Sequence, residues 1–404
     1  MAAPAVPLAR ARDSFSLRRF LELDLLDNRY PALHGLRVLG VVSVVQWHVT
    51  QLLVGDRGVA LDPTWARTSI AVFFGMDLFF VLSGFLIGSI LLYALRSTGK
   101  GQIRRFYLRR AFRTFPPYYL VLTFLVLTTA LTAVQRRHLP FEYTYLTNYA
   151  SDGREDVVMP WGWSLGLEEQ FYLTVPLLFL LLQKIRGDWT RIALLGGLWI
   201  SALVFRLALY FLHGRELSAA AFDTMYFRTH TRSDTLVAGL ILAYVHARWR
   251  EPIARWLERP LSRAMLAMPP LLCLWVLVQP WLFGASAVRL VHVFFWGTLT
   301  SIMYFCWLLL LLNVEGGWFS RVLSAPIFRR LATLGYGVYL VHIPVCDDLV
   351  APAASALVKG RGLSAGIAWM LALAGSLLGS LALAYVLHVI VEKPSLALRD
   401  RVAR

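Results

Sequence analysis
Ten predominantly apolar stretches, most of them near twenty residues long, restrict this chain more than any other feature. At 1.5 Å of rise per residue, about twenty helical residues match the roughly 30 Å hydrocarbon core of a bilayer. The stretches lie at 33–54, 70–95, 115–134, 162–183, 192–213, 232–248, 265–283, 290–313, 331–350 and 364–391. Composition agrees, since 58% of the 404 residues are hydrophobic and only 16% are charged, where a soluble domain carries about a quarter. The expected fold is all-α, a polytopic membrane protein of about ten transmembrane helices. No repeat, low-complexity tract or soluble domain interrupts it.

A net charge of +16 points to nucleic acid only if the cations share one surface. They do not. Arginines and lysines crowd into every second loop, as in "RSTGKGQIRRFYLRRAFRTF", "RWREPIARWLERPLSR" and the closing "EKPSLALRDRVAR". This positive-inside alternation places both termini in the cytoplasm and the chain in the cytoplasmic (inner) membrane as a multi-pass protein. No nucleic-acid partner is expected, and a weaker pull on an anionic substrate stays open. The expected division is a tail over 1–32, a membrane domain over 33–391 and a basic tail over 392–404. The first of these is either an interfacial helix or a disordered tail. Cys273, Cys306 and Cys346 are too few and too scattered for a disulfide framework or a zinc site, so no metal is expected.

Polar residues inside the spans carry the functional signal. A charge at the centre of a span costs about 2.5–3.5 kcal/mol, so Arg37, Asp77, Glu168, Glu169, Arg206, Arg232 and Asp234, left unpaired, would together cost on the order of 20 kcal/mol. They must meet one another or a water-filled cavity. His48, His292, His342 and His388 join them; of these, His292 and His388 are read as structural. In the first span Arg37 and His48 stand eleven residues apart. That returns them to within about 20° of one helix face, separated by about 16 Å along the axis. A snorkelling arginine with an interfacial histidine is the plainer reading of the same pair. In "WSLGLEEQFYL", Ser164, Glu168 and Tyr172 share a face and Glu169 is turned about 100° away. The two carboxylates either pair with an arginine to fix packing, or bind a proton, or orient a histidine. Asp77 shares a stripe with Gly84 and Gly88; the glycines suit close helix contact, whereas Asp77 needs an arginine or a cavity. Arg232 and Asp234 open the sixth span. Tyr336, Tyr339 and His342 come from the ninth, where Pro344 suggests a local break; a core histidine satisfied by a backbone carbonyl is the plainer reading of His342. Trp161 and Trp163 follow a polar external loop and serve either an interfacial belt or substrate contact.

Taken together these segments resemble the transmembrane acyltransferases of acyltransferase family three. Arg37-x10-His48 is similar to that family's first-span motif, "GMDLFFVLSGFLIG" to its second-span signature, and "FYLRRAFRTFPPYY" to its Arg-x-x-Arg stretch, matched by Arg110 and Arg113. "WSLGLEEQFYL" resembles its Trp-Ser-Leu…Glu-Glu-Gln-Phe-Tyr segment, with Leu167 for the usual Val, and "GYGVYLVHIPV" its late Tyr-rich segment, with Gly335 at a Ser position. The closing "VEKP" also fits. The resemblance covers about residues 30–395.

The resemblance implies an O-acyltransferase that takes an acyl group, often acetyl, from cytoplasmic acyl-CoA as co-substrate, with no bound cofactor. The acceptor it implies is a hydroxyl of a sugar or envelope polysaccharide unit, or in some members a small secondary metabolite. Some relatives carry an additional extracytoplasmic esterase-like domain, which is expected here to be absent or separate. Acyl transfer to an alcohol needs a base and an oxyanion donor. His48 is the candidate base because imidazole titrates near neutrality, with Glu168 or Glu169 orienting its other nitrogen. Direct attack and an acyl-histidine relay both stay open. Arg37, Arg110 and Arg113 are candidates for the CoA phosphates, unless the basic loop serves orientation alone. Asp77, Trp163, Ser164, Tyr172, Arg232, Asp234, Tyr336, Tyr339 and His342 are the expected cavity or substrate residues. A transporter or flippase is the rival reading, since it also lines a midplane cavity with ionisable groups; the missing internal repeats count against it.

Overall fold
The computed structural model describes residues 21–71, 74–94, 101–150, 156–215, 219–283, 286–314 and 316–402. Among the described residues, ten helices reach nineteen residues or more, and we label these α1 to α10. They are α1 (Pro31–Gln51), α2 (Gly75–Ala94), α3 (Gln102–Thr128), α4 (Gly162–Lys184), α5 (Asp188–Leu212), α6 (Asp234–Trp256), α7 (Pro260–Phe283), α8 (Ser286–Asn313), α9 (Pro326–Pro344) and α10 (Ala365–Leu387). Each coincides with one of the apolar stretches. Eight of the spans are long and apolar enough to cross a membrane, the two exceptions being α3 and α6. Arg113 and the run Pro116, Pro117, Tyr118, Tyr119 dilute α3, while Arg248, Arg250 and Glu251 cut into α6.

Two boundaries differ from expectation for physical reasons. The basic stretch before the third span is not all loop. After Gly101, at φ 106°, the chain turns into α3 at Gln102 and remains helical through Pro116 and Pro117. Arg110 and Arg113 therefore project from a helix wall. The expected break at Pro344 is a change of pitch, since α9 runs on into a π-helical turn at Val345–Val350. Similar turns follow α1 at Leu52–Asp56 and α10 at His388–Glu392. A π turn holds one residue more than an α turn and shifts the face presented beyond it.

Glycine sets the tightest helix crossing. A Cβ built on Gly84 of α2 would lie 2.0 Å from the Leu236 carbonyl oxygen, and one on Gly239 of α6 would lie 2.2 Å from that of Val81. Only hydrogen fits there, which is the close approach that the glycine stripe predicts. Elsewhere α9 packs on α1 and α10, and α7 packs on α8. Cys273, Cys306 and Cys346 are buried free thiols.

Residues 1–20 lie outside the described residues. The segment that follows is mostly non-helical and straps the ends of α9 and α10. Tyr385 donates to the Leu21 carbonyl at 2.8 Å, Lys393 to that of Glu22 at 2.6 Å and Arg329 to that of Leu26 at 2.7 Å.

Candidate active site
Four helices bring the charged residues of the membrane domain together. Arg37 comes from α1, Arg110 and Arg113 from α3, Glu168 and Glu169 from α4, and Tyr336 and Tyr339 from α9. All five charged side chains are enclosed by protein, and all five keep solvent-accessible surface. Enclosure with residual access suits side chains that border a hydrated space between helices, the setting in which a charge can remain inside a membrane. Arg110 acts on both carboxylates, and Arg37 acts on Glu168. The Arg110 guanidinium also stacks 3.7 Å from the centroid of the Tyr172 ring. The Tyr172 and Ser83 hydroxyls approach to 2.5 Å and lie within hydrogen-bonding reach of Glu168, while Thr114 does the same for Glu169. Tyr336 donates to the Thr114 carbonyl at 2.9 Å, joining α9 to α3.

A second group, further toward the end opposite the chain termini, holds the imidazoles. The rings of His48 and His342 lie 5.0 Å apart at 57°, and Trp47 packs edge-on against His48 at 4.7 Å. His342 is fully buried. Its Nδ1 stands 2.6 Å from the Tyr339 carbonyl, which can only accept, so Nδ1 carries the proton and Nε2 is left with a lone pair. That Nε2 has no hydrogen-bond partner among the described residues. The backbone carbonyl expected for a core histidine is present, yet it satisfies only one of the two nitrogens. Tyr339 and Ser164 hydroxyls meet at 2.5 Å, Tyr339 donates to the Trp161 carbonyl at 3.0 Å, and the Trp161 indole donates to the Leu340 carbonyl at 3.2 Å. The loop before α4 is thereby fixed to α9 beside His342.

The other candidates take part in a different set of contacts. Asp77 and Arg232, 0% and 2% exposed, approach to 2.6 Å, and Trp296 donates to the second Asp77 oxygen at 2.7 Å. The guanidinium also lies over the faces of Tyr226 (4.7 Å) and Phe80 (5.9 Å), so the opposite charge and the two rings together hold it. Asp234 pairs with Arg206 at 2.8 Å, and Arg206 also donates to the carbonyls of Phe294 at 2.7 Å and Thr231 at 2.5 Å. Trp163 sits among Phe80, Tyr226 and Phe227. The intramembrane charges thus meet one another or a cavity, as their insertion cost demands.

Sequence reasoning passed over Ser83, Thr114, Trp296 and Glu392. The first three are ordinary helix residues and emit no signal until a neighbour is known. Glu392 belongs to "VEKP": it accepts from His388 Nδ1 at 2.7 Å and acts on Arg113. His388 Nε2 in turn accepts from the Asp24 amide at 3.3 Å, which agrees with a structural role. The His292 side chain lies outside the described residues.

A family model described as "Acyltransferase domain" matches residues 30–389. Similar proteins include "Peptidoglycan O-acetyltransferase OatA" of Listeria monocytogenes, 26% identical over 342 residues, covering 78% of this chain and 49% of that protein. The Bacillus subtilis protein named "Putative peptidoglycan O-acetyltransferase YrhL" is 28% identical over 342 residues, covering 79% and 49%. The chain spans about half the length of the curated relatives it matches. No solved structure matches. With the family model spanning all ten long helices, from just before α1 to the π turn after α10, the chain belongs to the acyltransferase domain family.

Proposed function
We propose that this protein is an O-acyltransferase of the cytoplasmic membrane, moving an acyl group, acetyl in the first instance, from acyl-CoA to a hydroxyl of an envelope glycan. The relatives named for peptidoglycan favour that polymer as acceptor. The observation that carries the reading is the packing of His48 against His342, whose Nε2 lone pair is unused. His48 takes the acceptor's hydroxyl proton as its oxygen bonds to the thioester carbonyl carbon. The C–S bond then breaks and the proton passes on to the leaving sulfur. Held in one tautomer, His342 presents a fixed acceptor to this exchange.

Arg37, Arg110 and Arg113 line the part of the chamber nearer the chain termini and suit the phosphates of CoA, since guanidinium forks match phosphate oxygens. Glu168 and Glu169 balance those cations and keep them in place when the site is empty.

The test uses membranes containing the full chain, labelled acetyl-CoA and peptidoglycan fragments. Wild type transfers label to the glycan. His48→Ala reaches the membrane in equal amount and loses at least about 100-fold in rate, the usual weight of a positioned base. Retained transfer in that variant removes the assignment. Acceptor accumulating inside vesicles without modification favours transport instead.

A further inference from the structure
Tyr145 occupies the turn between the helix Ala133–Tyr143 and the short helix Thr147–Ala150. It stands at φ 58°, in the left-handed region that a bulky side chain seldom enters. Its neighbours hold it there. Gln170 of α4 donates to the Tyr145 carbonyl and to the Asn148 side-chain oxygen, both at 2.8 Å. Gly166, one turn earlier on α4, admits that carbonyl, since a Cβ built on it would lie 2.7 Å away. Before the turn, Glu142 accepts from the amides of Val158 and Met159 at 2.9 and 2.8 Å.

The side chain is as constrained as the backbone. Tyr145 is 5% exposed, and its ring stacks on Tyr118 at 4.1 Å and 25°, with Phe115 at 5.4 Å. A phenylalanine would make the same ring contacts. Packing does not account for the hydroxyl, which has no hydrogen-bond partner among the described residues. A buried hydroxyl left unpaired costs stability. A residue strained in its backbone and unsatisfied at its tip, yet fixed by its surroundings, is the kind found at ligand contacts.

Position decides which ligand. Phe115 and Tyr118, which carry the ring, come after Arg113 on α3, away from the end of the bundle that bears the termini. Tyr336 of α9 and Glu169 of α4 act on the Tyr145 hydroxyl, and Glu169 keeps accessible surface, so the hydrated space reaches this point. His342 follows Tyr336 on α9, about 9 Å further along the axis. The hydroxyl therefore stands between the arginines assigned to the CoA phosphates and the paired imidazoles. On the acyl-transfer reading, on which this inference rests, a donor with its phosphates at the arginines and its thioester at His48 crosses that interval with its pantetheine arm. The arm offers amide carbonyls, which accept from a phenol, and burial keeps this phenol protonated. We propose that Tyr145 is a donor-binding residue, its hydroxyl donating to an amide carbonyl of the pantetheine arm of acyl-CoA.

The test separates the arm from the phosphates. The full chain is purified in neutral detergent and titrated calorimetrically with CoA, which carries both, and with adenosine 3′,5′-bisphosphate, which carries phosphates alone. Tyr145→Phe should bind CoA about tenfold more weakly, the upper range for one hydrogen bond, and the bisphosphate as tightly as wild type does. Its melting temperature should equal or exceed that of wild type, because the change removes an unpaired oxygen. An unchanged CoA affinity overturns the proposal, and a raised KM for the glycan acceptor beside it would move the hydroxyl to the acceptor. Equal weakening of both ligands also overturns it, as the mark of a defect reaching the arginines. So does a lowered melting temperature, which would give the hydroxyl to the fold. Binding read without turnover keeps this test apart from the acyl-transfer reading. A protein that binds CoA and transfers nothing refutes that reading while the comparison at Tyr145 still decides; wild type that binds no CoA overturns both.

Discussion

The pair formed by Asp77 and Arg232 allows a quantitative test of how the charged interior is held. At 2.6 Å, with an effective dielectric near 20, two unit charges attract by about 6 kcal/mol before the cost of removing them from water. Asp77→Asn leaves Arg232 charged and buried, and Asp234, which also acts on that guanidinium, compensates in part. Its expected cost is about 3 kcal/mol, the low end for a broken buried pair. Arg232→Met strands the Asp77 carboxylate with the Trp296 indole as its remaining donor, and should cost about 4 kcal/mol. The double variant is neutral and keeps an amide oxygen for Trp296, so it should lose only about 1–2 kcal/mol. The predicted coupling is therefore several kcal/mol and of opposite sign to the single losses. Reversible unfolding in mixed micelles, read by tryptophan fluorescence with an unchanged slope, measures each corner of the cycle. Single losses below about 1 kcal/mol, or a double loss equal to their sum, would refute a charge-held pair.

Three further outcomes follow from the same geometry. Gly84→Ala should lower stability by about 1–3 kcal/mol or more, because its Cβ meets backbone at 2.0 Å and the α2–α6 crossing must open; a thermal-shift assay showing no change would contradict that crossing. Gly297→Ala places a Cβ 2.5 Å from both Asp234 carboxylate oxygens, so it should lower thermal stability while a similar change at Gly196, with open space around it, should not. Arg110→Lys keeps the charge but loses the planar stack on Tyr172, and should raise the KM for acyl-CoA by about tenfold with a smaller change in kcat; an unchanged KM in steady-state transfer assays would remove Arg110 from the donor site.

Much of this architecture can be read in the chain because it is dictated locally. Each apolar run names its own helix, and the cost of a charge in lipid marks Arg37, Asp77, Glu168 and Arg232 as residues that need partners. What local reasoning does not supply is the partner. Asp77 finds Arg232 only after α2 and α6 cross at Gly84 and Gly239, and Arg206 finds Asp234 only after α5 packs on α6. The onset of α3 was hidden for a different reason: the arginines that mark an orientation signal are also good helix formers. His48 and His342 each carry a plain reading alone, and the contact between their rings appears only when α1 and α9 lie side by side. Trp163 shows the reverse, since its place among Phe80, Tyr226 and Phe227 answers packing more than an exposed belt.

The widened turns at Leu52–Asp56 and Val345–Val350 begin within a few residues of His48 and His342. Each absorbs a supernumerary residue, so a single-codon loss there would restore ordinary winding and leave the remainder of its helix facing as it does now, where the same loss from a regular α-helix would swing it by about 100°. The imidazoles, lying earlier on each strand of helix, would hold their bearings. The rim beyond them can therefore gain or lose one residue at the widened turn without turning away from the pair of imidazoles.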